Sequence, residues 1–343
     1  MSESTPALDG LAMPAEWQPH ECCWMAWPCR PALWGAGFEA ACRAYALVAR
    51  TIGEFEPVRM LVPPPHVAVA TLQLARRLEV VPFAIDDSWT RDSGPCFVTG
   101  PEGRLAGVAW RFNGWGNRYH PHARDTALAA VLLAELGLSC YKAPMVLEGG
   151  AIHVDGQGTV LVSEPSVLNV NRNPTLDRRQ IEERLVLYLG VRKIIWLERG
   201  LVDDETDGHV DNVARFVAPA TVMCAVASDP DDANREPLLE NRARLARMCD
   251  AQGHALEVVE LPLPAPRRGP KGQLPLSYLN FYIANDAVVM PAFDDPMDDP
   301  AREIVAAAFP ERQVVQLPAL DIVAGGGGIH CITQQQPSTH YRD

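Results

Sequence analysis

A cysteine that follows four consecutive glycines is the residue best suited to chemistry in this sequence. Residues 325–337 read GGGGIHCITQQQP, so that Cys331 lies just behind the glycine run. Four glycines lose much backbone entropy when they become ordered, and a folded chain keeps such a run where its backbone turns sharply or approaches a ligand. Ile329, Ile332 and Thr333 have strand character, which predicts Cys331 at the entrance of a strand. The plain alternative is a mobile linker beside a buried structural cysteine.

Three short motifs elsewhere supply a histidine and several carboxylates. Asp92 lies in DDSWTRDSG, Glu148 in LEGG, and His209 and Asp211 in DGHVDN, each directly before a predicted strand. A thiolate is a strong nucleophile, a histidine can carry protons, and paired carboxylates can hold a planar guanidinium. His209 and Asp211 are two residues apart in a segment predicted to be extended, so they should share a face. The set predicts attack on a guanidinium carbon.

Each motif by itself also has a plainer interpretation. Asp92 beside Arg91 is typical of a surface pair, Glu148 before two glycines is typical of a turn, and a single histidine is more often packed than catalytic. A metal site built from His209, Asp211, Glu148 and a cysteine is a competitor, but no second histidine is predicted at an equivalent motif position. Phosphate binding by the glycine run is disfavoured, because no Lys-Ser/Thr follows it and the neighbouring motifs are acidic.

The elements that would position these motifs follow one repeated order of strand, strand, helix and strand. Four modules are predicted over residues 96–143, 152–197, 213–261 and 278–317. A fifth copy, the terminal module, can be assembled from both chain ends, with strands at 329–333, 21–27 and 58–62 and a helix at 39–55. A further helix over 67–78 and a strand over 80–85 follow. Five such modules would close a ring without exposed strand edges; the alternative is an ordinary doubly wound α/β sheet.

Composition and charge limit the classes of partner. The chain has 343 residues, 48% of them hydrophobic and 21% charged, which is typical of a globular protein and long enough for one domain over residues 1–343. A net charge of −13 disfavours nucleic acid and anionic membranes and favours a cationic substrate. The first ten residues do not resemble a targeting signal, and nine scattered cysteines suit reduced thiols, so a cytoplasmic location is expected.

These motifs together resemble those of the agmatine deiminases in the guanidino-group-modifying pentein superfamily. The resemblance covers residues 13–17 (MPAEW), 24–28 (WMAWP), 87–95, 110–116 (WRFNGWG), 147–155, 204–212, 277–285 and 329–337. It implies the pentein fold, a five-bladed pseudo-symmetric α/β-propeller. The chain departs from the family pattern at Gly328, where that pattern often has asparagine.

The resemblance also implies roles for the site residues. Cys331 would be the nucleophile and His209 the acid and base, while the carboxylates of Asp92, Glu148 and Asp211 would bind the substrate and relay protons. Trp89 would pack near the guanidinium, where its ring offers a cation–π contact.

The expected activity is that of a hydrolase without metal or cofactor. It would convert agmatine to N-carbamoylputrescine and ammonia through a covalent thiouronium on Cys331, in putrescine and polyamine biosynthesis. An arginine or peptidyl-arginine deiminase is the first alternative, and the placement of Arg91 and Arg111 bears on it, because an α-carboxylate needs a cationic partner. A non-catalytic guanidinium- or polyamine-binding protein is the second, although binding needs no nucleophile. The sequence leaves open whether the protein forms a homo-oligomer and whether the Pro/Gly-rich loop 262–275, with Arg267, Arg268 and Lys271, is a lid.

Overall fold

The structure is a computed structural model that describes residues 4–74, 78–269 and 272–339. Within these residues it contains five mixed sheets of three or four strands and one two-stranded hairpin. In every one of the five sheets, the first two strands pair antiparallel and the next strand pairs parallel to the second. The fold is therefore mixed α/β, and the repeated order of elements is confirmed.

Modules 1 and 2 agree closely with the predicted boundaries. Module 1 consists of strands Cys96–Gly100 and Arg104–Arg111, helix Ala123–Glu135 and strand Ser139–Val146. Module 2 consists of strands Ile152–Val154 and Thr159–Ser163, helix Arg178–Leu189 and strand Lys193–Leu197.

Local signals explain where the module 2 helix begins and ends. Asp177 and Gln180 form a reciprocal capping box at its start. Gly190 ends the helix in the left-handed region at φ 68°, which a glycine adopts without a steric penalty. The central strand Thr159–Ser163 is buried along its whole length, as expected for a short apolar strand covered on both faces.

Modules 3 and 4 keep the same order but differ from the prediction in length. Module 3 consists of strands Ala214–Ala218 and Thr221–Val226, helix Arg235–Leu245 and strand Glu257–Pro262. Module 4 consists of strands Tyr282–Ile283 and Ala287–Ala292, helix Asp298–Ala308 and strand Gln313–Pro318.

Two boundaries in these modules were predicted wrongly. The module 3 helix ends at Leu245 and not near residue 252. The chain turns back on itself before the next strand, where the Asp250 side chain accepts a hydrogen bond from the backbone N–H of His254. The first strand of module 4 has only two residues, because residues 278–279 form a turn and the carbonyl of Asn280 accepts a hydrogen bond from His330 N.

The terminal module is confirmed as a pairing of the two chain ends. Strand Thr333–Pro337 lies antiparallel to His20–Ala26, which lies parallel to Val58–Val62, and helix Phe38–Ile52 connects the latter two. A fourth strand, Glu79–Pro82, extends this sheet. The C-terminal strand begins at Thr333, four residues later than the predicted start.

Several short helices connect these elements. They are Pro31–Trp34, Val67–Gln73, Thr90–Ser93, Gly114–Asn117, Glu164–Val167 and Leu320–Val323. The helix predicted over 67–78 thus ends at Gln73, and residues 75–77 of that prediction lie outside the described residues.

Apolar cores join each module to its neighbours. Among the described residues, one buried cluster holds Trp24 of the terminal module with Phe97 of module 1, and a second holds Val108 of module 1 with Leu185 of module 2. Further clusters hold Leu161, Phe216 and Val288 of modules 2, 3 and 4, and Val289 of module 4 with Tyr45 of the terminal module. Every consecutive pair of modules therefore shares buried apolar surface.

Three remaining predictions concern the loop, the membrane and the cysteines. Loop 262–275 contains the hairpin strands Arg268–Gly269 and Gly272–Gln273, while Pro270 and Lys271 lie outside the described residues. Across the described ranges, the helices are too short or too polar to cross a membrane. All nine cysteines lie within those ranges and are free thiols.

Candidate active site

The structure brings the five predicted catalytic and carboxylate side chains into one buried cluster. His209 Nδ1 lies 3.7 Å from Asp92 Oδ1, and His209 Nε2 lies 3.8 Å from Glu148 Oε2. Cys331 Sγ lies 3.6 Å from Asp211 Oδ2. All five residues are buried. They come from segments that precede the first strands of modules 1, 2 and 3 and of the terminal module, as the sequence predicted.

The local backbone around His209 and Asp211 is not the extended segment that was predicted. Residues Val210–Asn212 form a 3-10 turn, and His209 precedes that turn with φ −64° and ψ 147°. The two side chains still face one point, because a Cβ placed on Gly150 would lie 2.5 Å from His209 Nδ1 and 3.1 Å from Asp211 Oδ2. The same Cβ would lie 2.9 Å from Asp92 Oδ1. Glycine at position 150 is what allows these groups to converge.

The glycine run is a tightly packed turn, and its interpretation as a mobile linker is wrong. A Cβ on Gly325 would lie 2.2 Å from the Trp34 ring, and one on Gly327 would lie 2.6 Å from the Trp89 ring. Gly326 has φ +108°, a backbone conformation that other residues rarely adopt. Cys331 therefore lies in a turn just before the strand Thr333–Pro337 and not inside the strand.

Cys331 opens into a pocket with aromatic walls and acidic side chains. Trp89 stacks on Trp34 with ring centroids 5.9 Å apart, and Trp115 donates a 2.8 Å hydrogen bond from Nε1 to Asp92 Oδ2. The described residues that line the pocket include three carboxylates and no arginine or lysine; they are Leu33, Asp87, Trp89, Asp92, Trp115, Tyr119, Glu205, Thr206, Gly325, Gly326, Gly327 and Cys331.

His209 is an imidazolium held among carboxylates. Burial alone would lower the pKa of His209, but the charges of Asp92 and Glu148 outweigh burial and raise this pKa to about 9. The 3.7 Å and 3.8 Å contacts are ion-pair distances and are too long for hydrogen bonds. Burial would raise the pKa of Glu148, yet His209 and Arg172 together lower it. Arg172 holds Glu148 through a 2.7 Å hydrogen bond from Nε.

The surroundings of Cys331 disfavour the charged form of its thiol. Burial, followed by the charges of Asp211 and Asp92, raises the pKa of this thiol well above its ordinary value. A like charge nearby disfavours a second negative charge, so the resting cysteine is protonated at neutral pH.

Asn280 is a site residue that the sequence reasoning missed. Its Nδ2 donates to Cys331 Sγ at 3.3 Å, and its Oδ1 accepts a 2.9 Å hydrogen bond from His330 N. It precedes the first strand of module 4, the position that carries the predicted site residues in the other modules, and this equivalence was the signal available. A Cβ on Gly328 would lie 2.4 Å from Asn280 Oδ1, so the glycine that departs from the family pattern gives Asn280 its space.

His330 and Glu16 were also missed. The prediction that no second histidine falls at an equivalent motif position is wrong, because buried His330 contacts Asp211 Oδ2 at 2.8 Å and Glu16 Oε1 at 2.9 Å. Arg91 is likewise buried and bonds Glu16, so it is not part of a surface pair with Asp92.

Among the described residues, no group of three or more histidine, cysteine or acidic side chains is arranged to hold a metal ion.

Comparisons with known proteins agree with this geometry. Residues 12–337 match the family described as Porphyromonas-type peptidyl-arginine deiminase. A Legionella pneumophila relative, provisionally named an agmatine deiminase, is 45% identical over 340 residues, which are 98% of either chain. The solved structure of the agmatine deiminase of Enterococcus faecalis is 37% identical, with a TM-score of 0.96 and 99% of both chains covered.

A more distant structure supports the fold class alone. The structure of DDAH from Pseudomonas aeruginosa is 12% identical, with a TM-score of 0.53 over 92% of this chain and 99% of the other. From the family match and the relatives at 45% and 42% identity, the chain belongs to the Porphyromonas-type peptidyl-arginine deiminase family, together with the agmatine deiminases.

Proposed function

We propose that this protein hydrolyses agmatine to N-carbamoylputrescine and ammonia. One observation carries the proposal: four buried polar atoms around Cys331 have no hydrogen-bond partner among the described residues. They are Glu148 Oε2, Asp211 Oδ1 and both ring nitrogens of His209. Buried polar atoms normally find partners, so an unsatisfied set of this kind indicates a ligand site. Its two free carboxylate oxygens suit a planar cation that carries several N–H donors.

A guanidinium fits these groups. Glu148 Oε2 and Asp211 Oδ1 can accept charge-assisted hydrogen bonds from its nitrogens, and Asp92 adds a further negative charge. The Trp89 ring, which lines the pocket with Asp92 and Cys331, offers its face to the cation. Holding the guanidinium at several points fixes its carbon for attack by Cys331.

The reaction then proceeds in two displacements. The Cys331 thiolate attacks the guanidinium carbon, and one nitrogen leaves as ammonia after it takes a proton from His209, which gives a covalent thiouronium. His209, now neutral, removes a proton from water, and the resulting hydroxide attacks the same carbon. The carbon–sulfur bond breaks, and the proton of the new hydroxyl group passes to the departing sulfur, so the thiol is restored and the urea group of N-carbamoylputrescine is formed. The proton that the thiol lost when the guanidinium bound leaves to solvent, where ammonia takes up one proton to become ammonium. One water is consumed for each ammonia released.

The substrate itself helps to form the thiolate. An arriving guanidinium is a fixed positive charge between Cys331 and the carboxylates that oppose its ionisation, so it lowers the pKa of the thiol when it is bound. Cys331 can therefore be a protonated thiol in the free enzyme and a reactive thiolate in the substrate complex.

The charge of the pocket lining favours agmatine over arginine. Glu205 lines this pocket and accepts a 2.5 Å hydrogen bond from Tyr119 Oη, so a primary ammonium at the end of the substrate would meet a carboxylate. An α-carboxylate would need a cation there. Arg91 points to Glu16, Arg111 is exposed, and neither lines the pocket. Free arginine and peptidyl-arginine are therefore weaker candidates.

We also propose that residues 1–343 form a single domain in which five modules close into a propeller. The apolar clusters that link each module to the next, including module 4 to the terminal module, support this arrangement. N-carbamoylputrescine is one hydrolysis away from putrescine, which suits a role in polyamine biosynthesis.

The test is ammonia release from agmatine and from arginine by the purified protein. We expect turnover of agmatine, weak or no turnover of arginine, and loss of both with Cys331→Ser. Equal or reversed preference would assign the protein to the arginine-directed relatives. Tight agmatine binding without any turnover by the intact protein would indicate a guanidinium-binding protein.

A further inference from the structure

A buried histidine outside the proposed reaction connects the site to the N-terminal segment. His330 is fully buried, and each of its two ring nitrogens faces a carboxylate. Nδ1 lies 2.8 Å from Asp211 Oδ2, and Nε2 lies 2.9 Å from Glu16 Oε1 and 3.2 Å from Glu16 Oε2. The reaction described above uses His209 for every proton transfer and leaves His330 without a task.

The partners of His330 are hydrogen-bond acceptors on both sides of the ring. An ionised carboxylate only accepts hydrogen bonds, so a ring held between two ionised carboxylates is suited to donate from both nitrogens. Both carboxylates are ionised. Burial would raise the pKa of Glu16, but His330, Arg215 and Arg91 hold it well below its usual range. Burial would also raise the pKa of Asp211, but His330 and His209 lower it.

Glu16 is a firm anchor for this ring. Arg215 Nη2 forms an ion pair with Glu16 Oε2, and Arg91 Nη1 lies 3.3 Å from Glu16 Oε1. His153 Nε2 lies 3.5 Å from the same carboxylate. His330 is thus held on one side by a carboxylate that several buried groups already fix in place.

On its other side, His330 determines how Asp211 faces the site. Oδ2 of Asp211 is engaged by His330, while Oδ1 is buried without a partner among the described residues. Without the donor at Nδ1, the carboxylate could rotate or take up a proton, and the free oxygen would leave the position that a guanidinium needs.

We propose that His330 is a positioning residue that, as an imidazolium between Glu16 and Asp211, holds Asp211 ionised and oriented toward the substrate guanidinium. The inference rests on the proposed function, because it assigns the purpose of this clamp to guanidinium binding.

Two substitutions separate the two hydrogen bonds of the ring. The amide nitrogen of asparagine can reach the position of histidine Nδ1, and that of glutamine can reach the position of Nε2. His330→Asn therefore keeps a donor to Asp211, and His330→Gln keeps a donor to Glu16 only. His153→Gln is the matched control, since it changes a second buried histidine beside Glu16 whose other ring nitrogen accepts a hydrogen bond from Phe216 N and not from a group of the site.

Binding of agmatine is measured by calorimetry in the Cys331→Ser background, and kcat and KM are measured with Cys331 present. We expect His330→Gln to weaken binding and raise KM by about 10- to 100-fold, the worth of one charge-assisted hydrogen bond. His330→Asn should stay within about tenfold of the parent, and so should His153→Gln, which loosens one contact of Glu16 but leaves the donor to Asp211 in place. Equal losses in the two His330 variants, or unchanged binding in His330→Gln, would overturn the proposal.

The clamp can also be tested without any variant and without the reaction. Nitrogen-15 chemical shifts of the unaltered protein at neutral pH should show both ring nitrogens of His330 protonated. A neutral ring with a single proton would overturn the proposal even if both variants failed to fold. Absence of agmatine turnover in the parent enzyme would instead refute the proposed function, and the chemical shifts would still decide whether the clamp exists.

Discussion

Substrate-assisted ionisation of Cys331 predicts a large difference between a charged and a neutral alkylating reagent. The pair to compare is a haloacetamidine, which carries a positive charge, and the matching haloacetamide, which carries none. Both react with the thiolate, so the ratio of their inactivation rates reports how far a bound cation ionises the thiol.

The magnitude follows from the charges around the sulfur. Because burial and the charges of Asp211 and Asp92 raise the pKa of this thiol well above its ordinary value, the free enzyme holds only a small fraction of thiolate at pH 7. A cation about 4 Å from the sulfur is worth about 4 kcal/mol at an effective dielectric constant of about 20, which equals about three pK units. We therefore expect the amidine to inactivate about 10²- to 10³-fold faster than the amide at pH 7. This ratio of inactivation rates is first divided by the ratio of the two reagents' rates with a small free thiol, which corrects for their intrinsic reactivity.

The assay follows residual activity and adduct mass on the Cys331 peptide as a function of reagent concentration. The rate with the neutral amide should rise about tenfold per pH unit from pH 7 toward pH 9, because the thiolate fraction rises with pH below the pKa of the thiol. Asp211→Asn removes a negative charge beside the sulfur and should reduce the difference between the two reagents. A corrected ratio near one, or a full thiolate absorbance in the free enzyme below pH 7 against a Cys331→Ser control, would refute the reasoning.

Three further predictions concern single positions in the site. Cys331→Ser should lower agmatine turnover by several powers of ten while calorimetric binding stays within about tenfold, because it removes the covalent route and leaves the carboxylates in place; substantial residual turnover would contradict a covalent mechanism. Glu205→Gln should raise KM for agmatine by about tenfold and narrow the preference for agmatine over arginine in kcat/KM, because the ammonium loses its charged partner; an unchanged preference would remove Glu205 from substrate selection. Gly150→Ala should reduce kcat by at least about 10²-fold, since its Cβ would lie 2.5 Å from His209 Nδ1 and displace the ring. Gly37→Ala, where nothing lies within 4 Å of the added atom, is its control, and equal activity of the two variants would show that the site tolerates the shift.

The regular parts of the fold were predictable because their signals are local. The helix Arg178–Leu189 is set by a capping box and a terminal glycine, and the strands around it are short apolar runs between turns. The repeated order of elements then led to the pairing of the chain ends, which the structure confirms. The predicted boundaries of helices and strands were wrong where contacts with distant residues override the local pattern. At Asn280, for example, the backbone carbonyl bonds His330, and the strand that follows has only two residues.

Residue type and repeated position determined which side chains were candidates. A cysteine after a glycine run, a histidine and three carboxylates at equivalent positions predicted a common site, and these five residues do lie together. Only the tertiary structure determines how these side chains face one another and which further residues complete the site. It also explains the glycines, which leave the space that neighbouring side chains occupy. Glu16 and His330 are 314 positions apart, and no local pattern places their side chains 2.9 Å from each other. That contact exists because packing of the modules brings distant segments together at one buried point, where paired charges must satisfy each other.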